Sequence, residues 1–520
     1  MTTKRSFPPG AGWLPLTVAV AVVGVIAGLG FTPRFENKTV GVVGTTAGPN
    51  TTALPGQPTP DSGSQDNTGA TDITGGGGTS AHGGGPQAVQ AGAIDCAHGR
   101  NGGNITGGVT KDTITIATTD VTSGVGKDFL GQATHGMQAA IDQINRAGGI
   151  CGRHINLKPP VNDGWSRRDG QNDIEGFIHE GDVFALVGEP DSEGLAGAIE
   201  SGDIDNARIP VVGTDGMLAD QYEDPWVWPV AASTVSNMHI VVKYALDHGW
   251  AQNAKDFAII YDTKYKFGSE GATAFDQEVK RLSSDHGDIP GYSTNGGCQQ
   301  QYCGISSEAG DYQSEKNQFN GVCEDPQTHK PTCKVVVMLL EPGPAETWWK
   351  DESHDTNWFG HLVGGEPLFD YSFASKCGGD CAGMVVWTGY RPVLQPFDSE
   401  SAVAGYKNAL LAECPSCDTQ NEFTQGAYLG TQLFIAACQA VAAKNQPLTR
   451  DNLKAVLDTQ TFDLHLSMPL HYGTSGTRIA NTSMVAYSDN AAGSFNGWNY
   501  TLSDFVRDPH PGADFPPRSW

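Results

Sequence analysis

Acidic residues in this sequence gather where apolar runs stop. The run ALV (residues 185–187) ends in GEPDSEG (188–194), which carries Asp191 and Ser192, and IPVV is followed by GTDG with Thr214 and Asp215. VVVMLL runs into Glu341, GGEP presents Glu366, and the loops TSGVG (122–126) and KYKFG (264–268) add Ser123 and Phe267. Two carboxyl groups across a cleft, such as Asp191 and Glu366, suit acid/base cleavage of a glycosidic bond. The same groups suit capture without reaction, since carboxylate oxygens accept hydrogen bonds from a polyol, an amide or an ammonium group. The enzymatic reading has little else behind it. No GxSxG elbow, HExxH helix or phosphate-binding GxxxxGK[ST] loop occurs, and an acid pair is a weak signal in a chain with 58 acidic residues. Asp191 has two roles open to it, a ligand contact or the cap of a following helix.

Those loops do chemistry only if a scaffold brings them together. TITIA (113–117), HINLK (154–158), VFALV (183–187) and IPVV (209–212) read as strands, with helix-compatible segments between them. The clearest helix is 129–147, where Ala133, Met137, Ala140, Ile141 and Ile144 recur at helical spacing. Alternating strands and helices pair in parallel through right-handed crossovers, which gives an α/β lobe with a covered sheet. After DPWVWPVAAST the rhythm restarts with FAIIYD (257–262), VVVMLL (335–340) and MVVW (384–387), so two such lobes are expected. Open α/β sheets bind ligands at the carboxyl ends of their strands, and the polar loops all fall there. Any one of them alone is an ordinary turn or helix cap.

Composition narrows the partners. The 520 residues carry a formal net charge of -26 with 17% charged residues, a surface that repels nucleic acid and anionic headgroups. Lys4 and Arg5 precede an uncharged run, 12–31, long enough to cross ~30 Å of hydrocarbon. It exceeds a usual signal-peptide core and lacks a clear cleavage site, so the expectation is a retained anchor with residues 1–11 cytoplasmic and the bulk outside. Residues 32–110, rich in Gly, Pro and Thr, read as a disordered linker. The 11 cysteines fit an exported chain, with local disulfides expected for Cys298 with Cys303, Cys323 with Cys333, Cys377 with Cys381 and Cys414 with Cys417. Cys438, in the apolar pattern LFIAACQAVAA, reads as a buried inert thiol. CPSC has no second CxxC or histidine pair to complete a zinc site, so neither metal nor cofactor is expected.

The segments TITIATTDVTSGVGKDFLGQATHGMQAAIDQINRAGGICGRHINL, ALVGEPDSEG, IPVVGTDG and YDTKYKFGSEGATAF together resemble the type I periplasmic solute-binding proteins. Among these the leucine/isoleucine/valine-binding proteins of ABC transporters are the nearest branch. The resemblance spans about 113–508, and INRAGGICGR before an extended strand is its most specific piece. It implies an α/β fold of two doubly wound lobes joined by a multi-strand hinge, closing over solute. Lobe 1 would take 111–232 and 388–466, lobe 2 would take 233–387 and 467–508, and 509–520 would be a tail. The helix 423–444 would pack on lobe 1, and 297–333 would be a cysteine-rich insertion in lobe 2.

By that resemblance Glu366 falls where amino-acid binders keep a glutamate for the ligand ammonium, and Phe267 near a common tyrosine. Asp191 and Ser192 fall where serines meet the ligand carboxylate, with Thr214 and Asp215 on a second such turn; Ser123 and Glu341 complete the expected site. Asp191 and Asp215 depart from the pattern, because two carboxylates beside a ligand carboxylate disfavour binding. Trp226, Trp228, Trp387 and Tyr390 are candidate stacking faces. The expected function is extracytoplasmic capture of a small polar solute (amino acid, amide or polyol-like), by a monomer that presents it to an ABC permease, without catalysis. The alternatives are a membrane-anchored sensor or protein-interaction module that serves a membrane receptor on the same fold, and a glycoside hydrolase.

Overall fold

A computed structural model of the chain describes Cys96 and residues 101–105, 107–188, 190–282, 297–299, 301–328, 330, 332–351, 359–369, 373, 384–473, 481–487, 498–501 and 503–514. The expected tail 1–11, membrane span 12–31, most of the linker, the Cys377 and Cys381 pair and residues 515–520 lie outside the described residues.

Five short strands build the first sheet: β1 (Thr113–Ala117), β2 (His154–Leu157), β3 (Ala185–Val187), β4 (Val211–Thr214) and β5 (Val227–Pro229), all parallel, in the order β2-β1-β3-β4-β5. The crossovers contain helices α1 (Ala133–Arg146), α2 (Arg167–Glu180) and α3 (Ser192–Glu200). Met137, Ala140 and Ile141 are buried on α1, so the helical spacing read from the sequence is the stripe that meets the core. Ser166 caps α2 by accepting from the Asp169 N–H, and Gly181 ends it at φ 69°, where a side chain would be strained.

The second sheet follows helix α4 (Thr234–Asp247). Strand β6 (Phe257–Asp262), helix α5 (Lys266–Arg281), strands β7 (Gly297–Gln299), β8 (Tyr302–Ile305) and β9 (Cys333–Leu339), helix α6 (Pro342–Asp351), and strands β10 (Phe359–Gly364) and β11 (Val385–Thr388) come next. The chain then leaves this sheet for α7 (Ser401–Glu413), α8 (Glu422–Ala443) and α9 (Arg450–Thr459), and returns through β12 (Asn481–Tyr487), β13 (Trp498–Thr501) and β14 (Val506–Arg507). The order is β13-β12-β11-β10-β9-β6-β8-β7, with β14 paired to β12. Strands β8, β6, β9, β10 and β11 run parallel, while β7 and β12–β14 pair antiparallel. Every residue of β6 is buried, as expected for a strand covered on both faces.

Helix α8 packs on α1 and β4 in the core of the first lobe. It is long and apolar enough to cross a membrane, yet 67% of its most apolar window is buried inside the protein, which is the mark of a core helix. The cysteine-rich segment extends the second sheet at its edge through β7 and β8.

The end of the expected linker is corrected by the structure. Cys96 is disulfide-bonded to Cys151, Val109 is buried, and Val109 pairs with both Ile105 and Ile114. Arg153 supplies the reason: it is only 1% exposed, and its guanidinium donates to the Thr110 and Gly103 carbonyls at 2.6 Å each. A buried guanidinium needs acceptors, and this stretch provides them, so the folded body begins before residue 111. Cys298–Cys303, Cys323–Cys333 and Cys414–Cys417 are bonded as expected, and Cys438 is a buried free thiol.

Candidate functional site

The carboxyl ends of the two sheets meet across a cleft. From the first lobe, Trp165 stacks on Tyr265 of the second, with Phe267 at 5.8 Å from the same indole. The Lys266 N–H donates to Glu193 at 2.6 Å, and its ammonium reaches Asp220 and Glu200 of the first lobe while also contacting Glu270 at 3.4 Å. Glu270 in turn accepts from the Ala219 N–H at 3.0 Å. The lobes are therefore clasped by one aromatic stack and one network of charged hydrogen bonds.

Beside the clasp, toward the crossing strands, lies a cluster of carboxyl groups. Glu366 follows Gly365 at the end of β10 and is 4% exposed; its Oε1 accepts from the Asn237 amide of α4 at 2.9 Å. Asp215 follows β4; its Oδ1 accepts from the Met217 N–H at 2.9 Å and the Gln221 amide at 3.1 Å. Glu422 opens α8 behind its cap Asn421, and its Oε1 accepts from the Gly389 N–H at 3.0 Å. Asp215 is partly exposed as a residue, but its Oδ2 is out of solvent contact and has no hydrogen-bond partner among the described residues. The same holds for Glu422 Oε2 and Asn237 Oδ1, in residues almost fully enclosed. Buried acceptors of this kind cost free energy until something donates to them.

Their titration reflects that crowding. Burial, then the charges of Glu422 and Asp215, pushes the Glu366 carboxyl well above the usual range, against the pull of Asn237. Burial raises Glu422 to about 8 despite the Gly389 and Thr388 hydrogen bonds, with Asp215 adding to the rise. Burial, aided by Glu193, raises Asp215 to about 6. A small pocket opens at Asp215, lined by Gly188, Pro190, Gly213, Tyr390 and Phe423, with α8 closing its far side.

Of the residues expected from sequence, the structure brings Asp215 and Glu366 together. Asp191 takes its capping role: its Oδ1 accepts from the Gly194 N–H at 3.0 Å, and its carboxyl shares a hydrogen bond with Asp163. Ser192 faces Met217 sulfur at 3.8 Å, and the Thr214 hydroxyl donates to Gln221. Ser123 is exposed and accepts from Asn162; Phe267 is buried in the clasp; Glu341 is buried against Asp262 under the end of β6. Trp226 and Trp228 pack in the first core beside Lys454, and Trp387 in the second, so Tyr390 alone of the aromatic candidates reaches the pocket.

Sequence reasoning missed Glu422, Asn237 and Trp165. An acidic residue in a first helical turn is the ordinary complement to the helix dipole, so nothing in the local sequence singles out Glu422. Trp165 sits in a loop at φ 62°, a conformation that its sequence, DGWS, did not announce.

Two α/β lobes with strand ends turned toward one another form an architecture that can close about a hinge. Residues 113–292 match the family model described as periplasmic binding protein. Similar solved structures are a fatty acid ABC transporter substrate-binding protein from Thermomonospora curvata, a solute-binding protein of an ABC transporter from R. palustris in complex with benzoate, and LivJ, a branched-chain amino acid transporter substrate-binding protein from Streptococcus pneumoniae in complex with isoleucine. The first is 14% identical, covers 78% of this chain and 96% of its own, and has a TM-score of 0.62. The second gives 15%, 77%, 99% and 0.58, and the third 14%, 76%, 100% and 0.57. A search of curated proteins finds no match. The family match is confined to residues 113–292, and the likeness to these solved structures shows that the α/β body shares their fold.

Proposed function

We propose that this protein captures a small solute between its lobes, outside the cytoplasm, and presents it to an ABC-type permease. The observation that carries the proposal is the Asp215, Glu366 and Glu422 cluster, in which Asp215 Oδ2 and Glu422 Oε2 are buried without a donor among the described residues. The structural neighbours are named for solutes as different as fatty acid, benzoate and isoleucine, so the fold leaves the solute to the side chains lining the cleft. No catalytic role is proposed for the cluster. The membrane run 12–31 would hold a monomer near its permease by a long tether. Chemical cross-linking in intact membranes tests the presentation step. The expected result is a permease subunit captured in a solute-dependent manner; capture of none, or of a receptor indifferent to solute, would favour the sensor reading of the same fold.

A further inference from the structure

The cluster also speaks to which solute fits, on the reading that the cleft is a solute site. We propose that the ligand is an organic amine, held by its cationic nitrogen among Asp215, Glu366 and Glu422, and that it carries no carboxylate next to that nitrogen.

Three observations lead there. First, the unfilled hydrogen-bond positions of the cluster itself are Asp215 Oδ2, Glu422 Oε2 and Asn237 Oδ1, all of them acceptors once the carboxyl groups ionise. A ligand that satisfies them must bring donors, and an ammonium group brings three on one atom. Second, among the described residues no lysine or arginine compensates the cluster; the charged groups acting on Asp215, Glu366 and Glu422 are one another and Glu193. The cations of the clasp, Lys266 and Arg167, are engaged with Glu193, Glu200 and Asp220. Third, side chains placed to donate to a ligand carboxylate are committed elsewhere: the Thr214 hydroxyl to Gln221, and Ser192 toward Met217. Tyr390 and Phe423 border the pocket at Asp215, and aromatic faces favour a cation over an anion.

The arrangement departs from the glutamate-only pattern that Glu366 represents, because Glu422 and Asp215 add two further carboxyl groups. Three buried carboxyl groups cannot all ionise without a positive partner. Of the surrounding titratable groups, Glu193 of α3 adds to that cost at Asp215, while Tyr222 and Tyr390, which burial and the carboxyl charges raise, stay neutral phenols. Entry of a cation therefore expels protons from Glu366 and Glu422 near neutral pH, and affinity rises with pH between about 6 and 8.

The test is calorimetric titration of the full-length protein with matched probes: benzoate against benzylamine and benzamide, and isoleucine against 2-methylbutylamine, with putrescine and spermidine added. The expected result is that at least one amine binds ten-fold or more tightly than its carboxylate or amide counterpart. Binding should release protons, read as a dependence of the measured heat on the buffer's ionisation enthalpy. Glu422→Gln should weaken the amine at least ten-fold at pH 8 while the far-UV spectrum stays unchanged, and Asp215→Asn should do the same. Tighter binding of benzoate, isoleucine or benzamide than of any amine would overturn the amine assignment and leave solute capture standing. Binding of none of the probes by folded protein would count against both.

Discussion

Trp165 of the first lobe and Tyr265 of the second lie face to face, ring centroids 4.0 Å apart and planes 23° from parallel. Trp165 is 1% exposed, and Phe129 meets its edge at 5.2 Å, so the indole joins the aromatic core of one lobe to that of the other. The stack is the apolar half of the interlobe clasp, and Lys266 with its carboxylates is the polar half.

Trp165→Ala should therefore cost about 3–5 kcal/mol, the usual range for truncating a buried aromatic. Unlike a core truncation inside one lobe, it should also shift the ensemble toward open lobes. Urea unfolding gives the first number, and a larger radius of gyration in small-angle scattering gives the second.

The disulfide from Cys96 to Cys151 fastens the stretch before β1 to the turn after α1 across 55 residues of sequence. Cys96→Ser should lower stability by about 2–5 kcal/mol and expose residues 101–110 to limited proteolysis. The local pair Cys414–Cys417 closes a far shorter loop, and its loss should cost less. Proteolysis rates and denaturation midpoints of the two variants check the order.

His239 is fully buried between two carboxylates, Nδ1 at 3.0 Å from Asp508 and Nε2 at 3.0 Å from Asp514. Arg281 binds Asp514 and Glu278, and His510 reaches Glu278 at 3.1 Å, so residues 508–514 are pinned on α4 and α5 by charge. Burial would lower the imidazole, but the hydrogen bond and charge of Asp508, with Asp514, hold it above its ordinary value. A group raised on folding stabilises fully below its unfolded value, ~6.5, and the gain is lost as pH rises through the raised value. Hydrogen exchange in 508–514 should accelerate above neutrality, more steeply than the intrinsic rate, and His239→Gln should remove the pH dependence.

Glu422, raised to about 8, follows the same sign: its contribution is complete below the ordinary glutamate range and is lost as pH climbs through 8. Without solute, Glu422→Gln should make the protein more stable than the parent at pH 8 by roughly 2–4 kcal/mol, and leave it close to parity at pH 4. Urea midpoints at the two pH values check this, and a variant destabilised equally at both would show that the carboxyl is needed structurally.

The fold was legible where apolar periodicity is strong. TITIA and FAIIYD coincide with β1 and β6 residue for residue, and the 129–147 reading divides into Lys127–Leu130 and α1. VFALV was cut to Ala185–Val187, and IPVV slid to Val211–Thr214, because apolar residues flanking a strand are buried whether or not they pair. The site was half legible. Asp215 and Glu366 stand at strand ends, where topology points, but Glu422 comes from a helix start more than 50 residues later in the chain. Nothing local distinguishes it from a dipole-complementing glutamate; only the return of α8 beside β4 gives it a second role. Asp191 shows the converse, since a polar strand end can be consumed by its own helix cap.

The measurement that bears most directly on solute capture is the melting temperature of the full-length protein across amines, amino acids, amides, polyols and carboxylates, repeated with Glu366→Ala. A ligand at 100 times its dissociation constant adds ~2.7 kcal/mol to the native state. The expected result is a clear upward shift with one chemical class that disappears in the variant. Flat melting temperatures for every class, or a shift that Glu366→Ala leaves intact, would contradict capture at this cluster.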